Sequence, residues 1–107
     1  MYTVCIPEYF YKDDIIVFHV RGDSMEPSIK EGAFVGVDFQ DRDVVGGKTY
    51  AVWVPYEGVT LKMVYVDPQN KQLILQSENP KHPEQHLPLD GRENLIIGSV
   101  RWVMQGV

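Results

Sequence analysis

The residue best placed to do chemistry is Ser24, in Val20-Arg21-Gly22-Asp23-Ser24-Met25-Glu26-Pro27, where a β-rich run gives way to a turn. A nucleophilic serine needs such a bend. It projects the hydroxyl and aims nearby main-chain N–H groups at the oxyanion of a tetrahedral intermediate. Gly22 permits a backbone conformation closed to other residues, and Pro27 fixes the exit from the bend. Taken alone, a Gly-x-Ser bend beside a proline is most often only a turn.

Other readings of these residues fail on their neighbours. A G-x-S-x-G elbow would need glycine where Glu26 stands, on a longer and less β-rich chain. The Gly-Asp-Ser opening of chymotrypsin-like nucleophile motifs would continue with two glycines, here Met25 and Glu26. Arg21-Gly22-Asp23 spells an adhesion tripeptide, but three residues recur by chance and no secretory signal accompanies them. His82 and His86 are four apart, the spacing of two ligands on one helix face. Pro80, Pro83 and Pro88 oppose a helix there, so the expectation is two exposed loop histidines and no metal. His19, in a β-rich run, is expected to be packed or half-exposed and not part of a triad.

The elements that must hold Ser24 are strands. Ile15 to Arg21, Phe34 to Phe39, Thr49 to Val54, Val59 to Val66, Gln72 to Gln76 and Leu95 to Met104 are rich in β-branched and aromatic residues. Turn signals separate them at Glu31-Gly32, Gly46-Gly47, Pro55 to Gly58 and Asp67-Pro68-Gln69-Asn70. The segment from Asn79 to Asp90 is expected to be an ordered surface loop. Helix is limited to a turn or two after Ser24, over Pro27 to Glu31. A chain of 107 residues with these short strands predicts one mostly-β domain of sandwich or barrel type.

Bulk properties narrow the function classes. The longest apolar runs fall far short of the roughly 20 residues that span a bilayer, so a cytoplasmic location and no membrane role are expected. The single cysteine, Cys5, excludes an internal disulfide framework and a cysteine-based zinc site. The net charge is −5, and the cations are scattered. Nucleic-acid binding rests on clustered cations, so any DNA-directed role would come from something attached to this chain.

Beyond the turn, several stretches occur in an order that resembles the C-terminal domains of LexA, the phage CI repressors and the UmuD proteins, cytoplasmic relatives of the bacterial signal peptidases. They are V-R-G-D-S-M-E-P-S-I, K-E-G-A-F-V-G-V-D through Gly32 to Asp38, Gly47 to Val52, G-V-T-L-K-M-V over Gly58 to Val64, Leu75 to Pro80, and Ile96 to Val100. The resemblance runs from about Ile15 to the C-terminus. It implies a compact β-fold of the LexA C-terminal type (β-clip or barrel-like). It also implies a serine peptidase with a Ser–Lys dyad: Ser24 as nucleophile, Lys62 as general base, and the backbone N–H groups of Ser24 and Asp23 as oxyanion hole. Gly22, Met25 and Pro27 support the motif. The donors are main-chain groups, so the Asp23 side chain is not implicated, and no cofactor or metal is required.

The chemistry of such a dyad is demanding. A free lysine with a pKa of about 10.4 is neutral only about one time in a thousand near pH 7.4. Lowering the pKa to about 8 makes it neutral roughly one time in five, at about 3 kcal/mol of differential destabilisation. Burial can do this, and Lys62 lies in Val59-Thr60-Leu61-Lys62-Met63-Val64. Alternation puts Thr60 and Val64 on its side and Leu61 and Met63 on the other. Without the resemblance, a strand lysine that snorkels to solvent is the ordinary outcome.

Family repressors cut themselves at Ala-Gly or Cys-Gly upstream of the nucleophile. Neither pair occurs here, and no helix-turn-helix is present. The expectation is therefore a C-terminal fragment of a LexA/CI-type, prophage or bacterial repressor. Its DNA-binding domain and cleavage segment would be absent, and DNA would be contacted only through the missing domain. The resemblance further implies a homodimer, and self-cleavage stimulated by the RecA–single-stranded DNA filament in the SOS response. The alternative is a UmuD-like or catalytically relic oligomerisation module. The apolar tail Trp102-Val103-Met104 could serve as a dimer strand or as internal core.

Overall fold

The computed structural model describes residues 2–5 (backbone only), 14–89 and 95–106. Among the described residues eight strands form one antiparallel sheet: β1 (Tyr2–Cys5), β2 (Ile15–Arg21), β3 (Phe34–Asp38), β4 (Thr49–Val54), β5 (Gly58–Asp67), β6 (Gln72–Gln76), β7 (Gln85–Pro88) and β8 (Ile96–Met104). The spatial order is β1-β2-β3-β8-β4-β5-β6-β7. The last long strand is thus inserted between β3 and β4, and it joins the half of the sheet that carries Ser24 to the half that carries Lys62.

The six strands expected from β-propensity are present within a residue or two. The β5–β6 hairpin turns at Pro68, as the Asp-Pro-Gln-Asn signal requires. There the Asp67 carboxylate accepts from the Asn70 main chain and side chain, and Lys71 takes a positive φ of 53°. Two strands were not expected. Tyr2–Cys5 is too short to stand out. Gln85–Pro88 lies in the segment assigned to a surface loop, which is corrected here: it pairs with β6, Leu75 opposite Gln85 and Gln72 opposite Pro88. It is an edge strand, where polar residues face water and a terminal proline forfeits no ladder bond. Asp90, the end of that segment, lies outside the described residues.

The sheet is strongly bent without closing into a barrel. Among the described residues β1 and β7 are its two edges, and β1 lies against β5. Register shifts on both flanks of β8, at Gly36/Val37 and at Ala51/Val52, mark where it bends. Gly98, from the Ile96 to Val100 stretch, sits at this crossing. A Cβ on it would overlap the Asp38 carbonyl.

The bend encloses two apolar clusters. One gathers Phe18, Val20, Val35, Val37 and Leu61 with Met25 and Ile29 from the turn after Ser24. Burying Met25 and Ile29 favours that turn by about 1.5–3 kcal/mol each, which anchors a segment that has no sheet partner. The expected helix there is a single turn, closed by the Ile29 N–H donating to the Met25 carbonyl at 2.9 Å. The second cluster holds Tyr50, Val52, Val64, Leu73, Leu75 and Ile96. Tyr50 is fully buried, and its hydroxyl donates to the Asp43 carbonyl and accepts from the Val45 N–H, both at 2.8 Å.

Candidate active site

Ser24 follows β2 on a turn that begins with Gly22 at a φ of 93°, the left-handed region that glycine alone enters without strain. The side chain of Ser24 is fully buried, and so is Met25 beside it. Lys62 lies in the middle of β5, directly opposite Tyr50 of β4. It does not snorkel: the residue is 4% exposed. Its Nζ donates to Ser77 Oγ at 2.7 Å, and Ser77 is itself buried. Burial pushes the Lys62 pKa below that of an ordinary lysine, and the Glu57 carboxylate nearby partly opposes the shift.

Ser24 and Lys62 are both tied to one short segment that follows β6. Ser77 holds Lys62. Two residues on, the Asn79 N–H donates to the Ser24 carbonyl at 3.0 Å, and Asn79 Nδ2 donates to the Asp23 carbonyl at 3.1 Å. Two residues of extended chain span at most about 7 Å, so the two points of attachment lie close together on this segment. The segment is braced in turn. Asn79 Oδ1 accepts from the Lys81 N–H, the Asn79 carbonyl accepts from the His82 N–H, and Glu78 Oε1 accepts from the Ser28 main chain and hydroxyl.

His82 reaches back to the same turn. Its Nε2 lies 2.7 Å from Asp23 Oδ1, and this bond holds the half-exposed Asp23 carboxyl below its ordinary pKa. One expectation is corrected: His82, expected as an exposed loop histidine, is half-buried and bonded to Asp23. His86 turns away to Glu84 and Gln72. His19 stacks on Phe34 with ring centroids 4.7 Å apart, as a packed residue.

A recess of about 140 Å³ opens over Lys62, lined by Glu57, His82, Pro83 and Gln85. Together, the arrangement supplies a buried hydroxyl on a rigid bend, a desolvated amine and a small adjoining hollow. Ser77, Asn79 and His82 had no assigned role in the sequence. The stretch Leu75 to Pro80 stands out in the sequence only as a likeness, and spacing alone cannot show that it binds residues 15 to 56 positions away.

A family model described as Peptidase S24-like matches residues 2–101. The Repressor protein CI of Enterobacteria phage phi80 is 33% identical over 90 residues, which cover 82% of this chain and 36% of the repressor. The matching region thus spans about a third of that relative's length.

Proposed function

The chain belongs to the Peptidase S24-like family, and from that premise we propose that it is the self-cleaving and dimerising domain of a LexA/CI-type transcriptional repressor. In this reading Ser24 is the nucleophile and Lys62 the general base. The observation that carries it is the burial of Lys62 at 4% exposure, its Nζ against Ser77, on the segment that also grips the Ser24 turn. A lysine with no chemical task seldom stays in such a place, because desolvating an ammonium is costly.

Neutral Lys62 takes the proton of Ser24 Oγ as that oxygen bonds to the carbonyl carbon of the scissile peptide. The carbonyl electrons move to oxygen, where the N–H groups of Ser24 and Asp23 stabilise the charge. The Lys62 ammonium then gives its proton to the departing amine. Water attacks the resulting ester with Lys62 again as base, which restores Ser24. The substrate is an Ala-Gly-like bond in a segment upstream of the domain in the full repressor. The trigger, by resemblance, is the RecA–single-stranded DNA filament. The CI repressor match favours this role over a UmuD-like one.

The dimer reading has support from β8. Its last residues, to Met104, pair with β3, whereas β4 meets β8 only up to Ser99. One edge of that outer half is therefore without a strand among the described residues, and Val103 and Met104 beside it are 39% and 58% exposed. An open edge of this kind accepts a strand of a second copy. To test the cleavage role, the repressor carrying this domain is incubated at alkaline pH and its products are weighed by mass spectrometry. A cut upstream of the domain at an Ala-Gly-like bond is expected; an intact chain, or a cut within the sheet, would count against it.

A further inference from the structure

The peptide joining Asp23 to Ser24 lies on the turn after β2 and is held both from within that turn and from the segment after β6. The Asp23 carbonyl accepts from Asn79 Nδ2 at 3.1 Å and from the Glu26 N–H at 3.1 Å. The Ser24 carbonyl accepts from the Asn79 N–H at 3.0 Å. A trans peptide is planar, with its carbonyl and N–H on opposite sides. Fixing the Asp23 carbonyl toward Asn79 therefore fixes the direction of the Ser24 N–H, on the side away from Asn79. A fourth bond, from His82 Nε2 to Asp23 Oδ1 at 2.7 Å, ties down the Asp23 side chain. Asn79 and His82 are themselves joined by the bond from the His82 N–H to the Asn79 carbonyl at 3.1 Å. One short turn thus grips the carbonyls of Asp23 and Ser24 and the Asp23 carboxylate.

We propose that Asn79 and His82 are positioning residues, a clamp that sets the Asp23–Ser24 peptide so that its N–H meets the oxyanion. This rests on Ser24 being the nucleophile. Each acts through the turn that carries Ser24. A preset donor needs no reorganisation as charge develops, which is where most of the benefit of an oxyanion site lies. The Asp23 carboxylate also needs a fixed place. It is anionic and adjacent to the nucleophile, and left to swing it would oppose a developing negative charge. His82 holds it to one side.

His82 is the better handle, because its side chain is partly exposed and its removal leaves the apolar clusters intact. In the full repressor, H82A is expected to slow self-cleavage about tenfold. H82Q, whose amide nitrogen replaces Nε2 as donor, is expected to restore most of the rate. N79D keeps the acceptor for the Lys81 N–H but removes the donor to Asp23, and a loss of about a hundredfold is expected. In a D23N background H82A is expected to cost little more, since its route to the site is already altered. A cleavage rate for H82A equal to wild type, or an equal loss in H82A and H82Q, overturns the clamp.

A second measurement needs no cleavage at all. Amide exchange by NMR on this chain should show the Ser24 N–H exchanging several-fold faster in H82A, with Val20 and Leu61 unchanged. Unchanged exchange at Ser24 overturns the proposal even if the dyad is active. Faster exchange in a chain that never cleaves would leave the clamp standing and sink the dyad.

Discussion

Lys62 donates a 2.7 Å hydrogen bond to Ser77, and the two residues are 4% and 6% exposed. A buried ammonium has lost most of its hydration, so a short bond to a hydroxyl matters more than it would at the surface. The bond also fixes where Nζ sits, because a lysine stem otherwise has many rotamers. Removing the hydroxyl withdraws an acceptor that favours the charged form, so the Lys62 pKa falls further. S77A is expected to shift the acid limb of the cleavage profile to lower pH. It is also expected to slow the plateau rate several-fold through misplacement of Nζ. A pH–rate profile read beside wild type checks both.

The charge of Glu57 works against the burial of Lys62. Cleavage should therefore rise with pH as Lys62 loses its proton, with a midpoint below that of an ordinary lysine. E57Q is expected to move that midpoint lower still and to speed cleavage near neutral pH. Stability follows the same titration. Between the depressed folded pKa and the ordinary unfolded value of about 10.4, the unfolded chain holds the extra proton, so stability rises with pH across that window. Below it the penalty is complete. K62M is accordingly expected to stabilise the domain by about 1–3 kcal/mol at neutral pH, and less above pH 10, as measured by urea unfolding.

Gly98 is fixed by crowding and not by its φ. It lies at the bend of β8, where a side chain would run into the Asp38 carbonyl of β3. Backbone cannot swing aside as a side chain can. G98A is expected to cost about 3 kcal/mol, visible as a fall of several degrees in Tm.

The open half of β8 predicts self-association. Sedimentation at micromolar concentration should show a dimer, and V103R, which sets like charges facing each other across the paired edges, should return a monomer. A wild-type chain that sediments as a clean monomer would remove dimerisation from this domain.

Much of this architecture was legible in the residues. β-Branched runs gave the long strands, and Gly32, Gly47 and Gly58 took the positive φ their turns demand. β7 was hidden because an edge strand follows weaker rules than a central one; its polar residues, with Pro88 at its end and Pro80 and Pro83 before it, read as loop. The site was half legible. Ser24 and Lys62 stand in stretches with a recognisable order. Their supports, Ser77, Asn79 and His82, act through bonds that exist only after β6 has been laid beside β5. Trp102 illustrates the same limit. Nothing in its sequence shows that Gly36, its cross-strand partner, leaves room for the indole.

The most direct test of the account is self-cleavage of the full repressor at alkaline pH with Ser24 and Lys62 changed one at a time. S24A and K62A should each abolish the upstream cut, while circular dichroism shows the sheet intact. Cleavage at the wild-type rate in either folded variant would contradict the assignment of Ser24 and Lys62 as the catalytic pair.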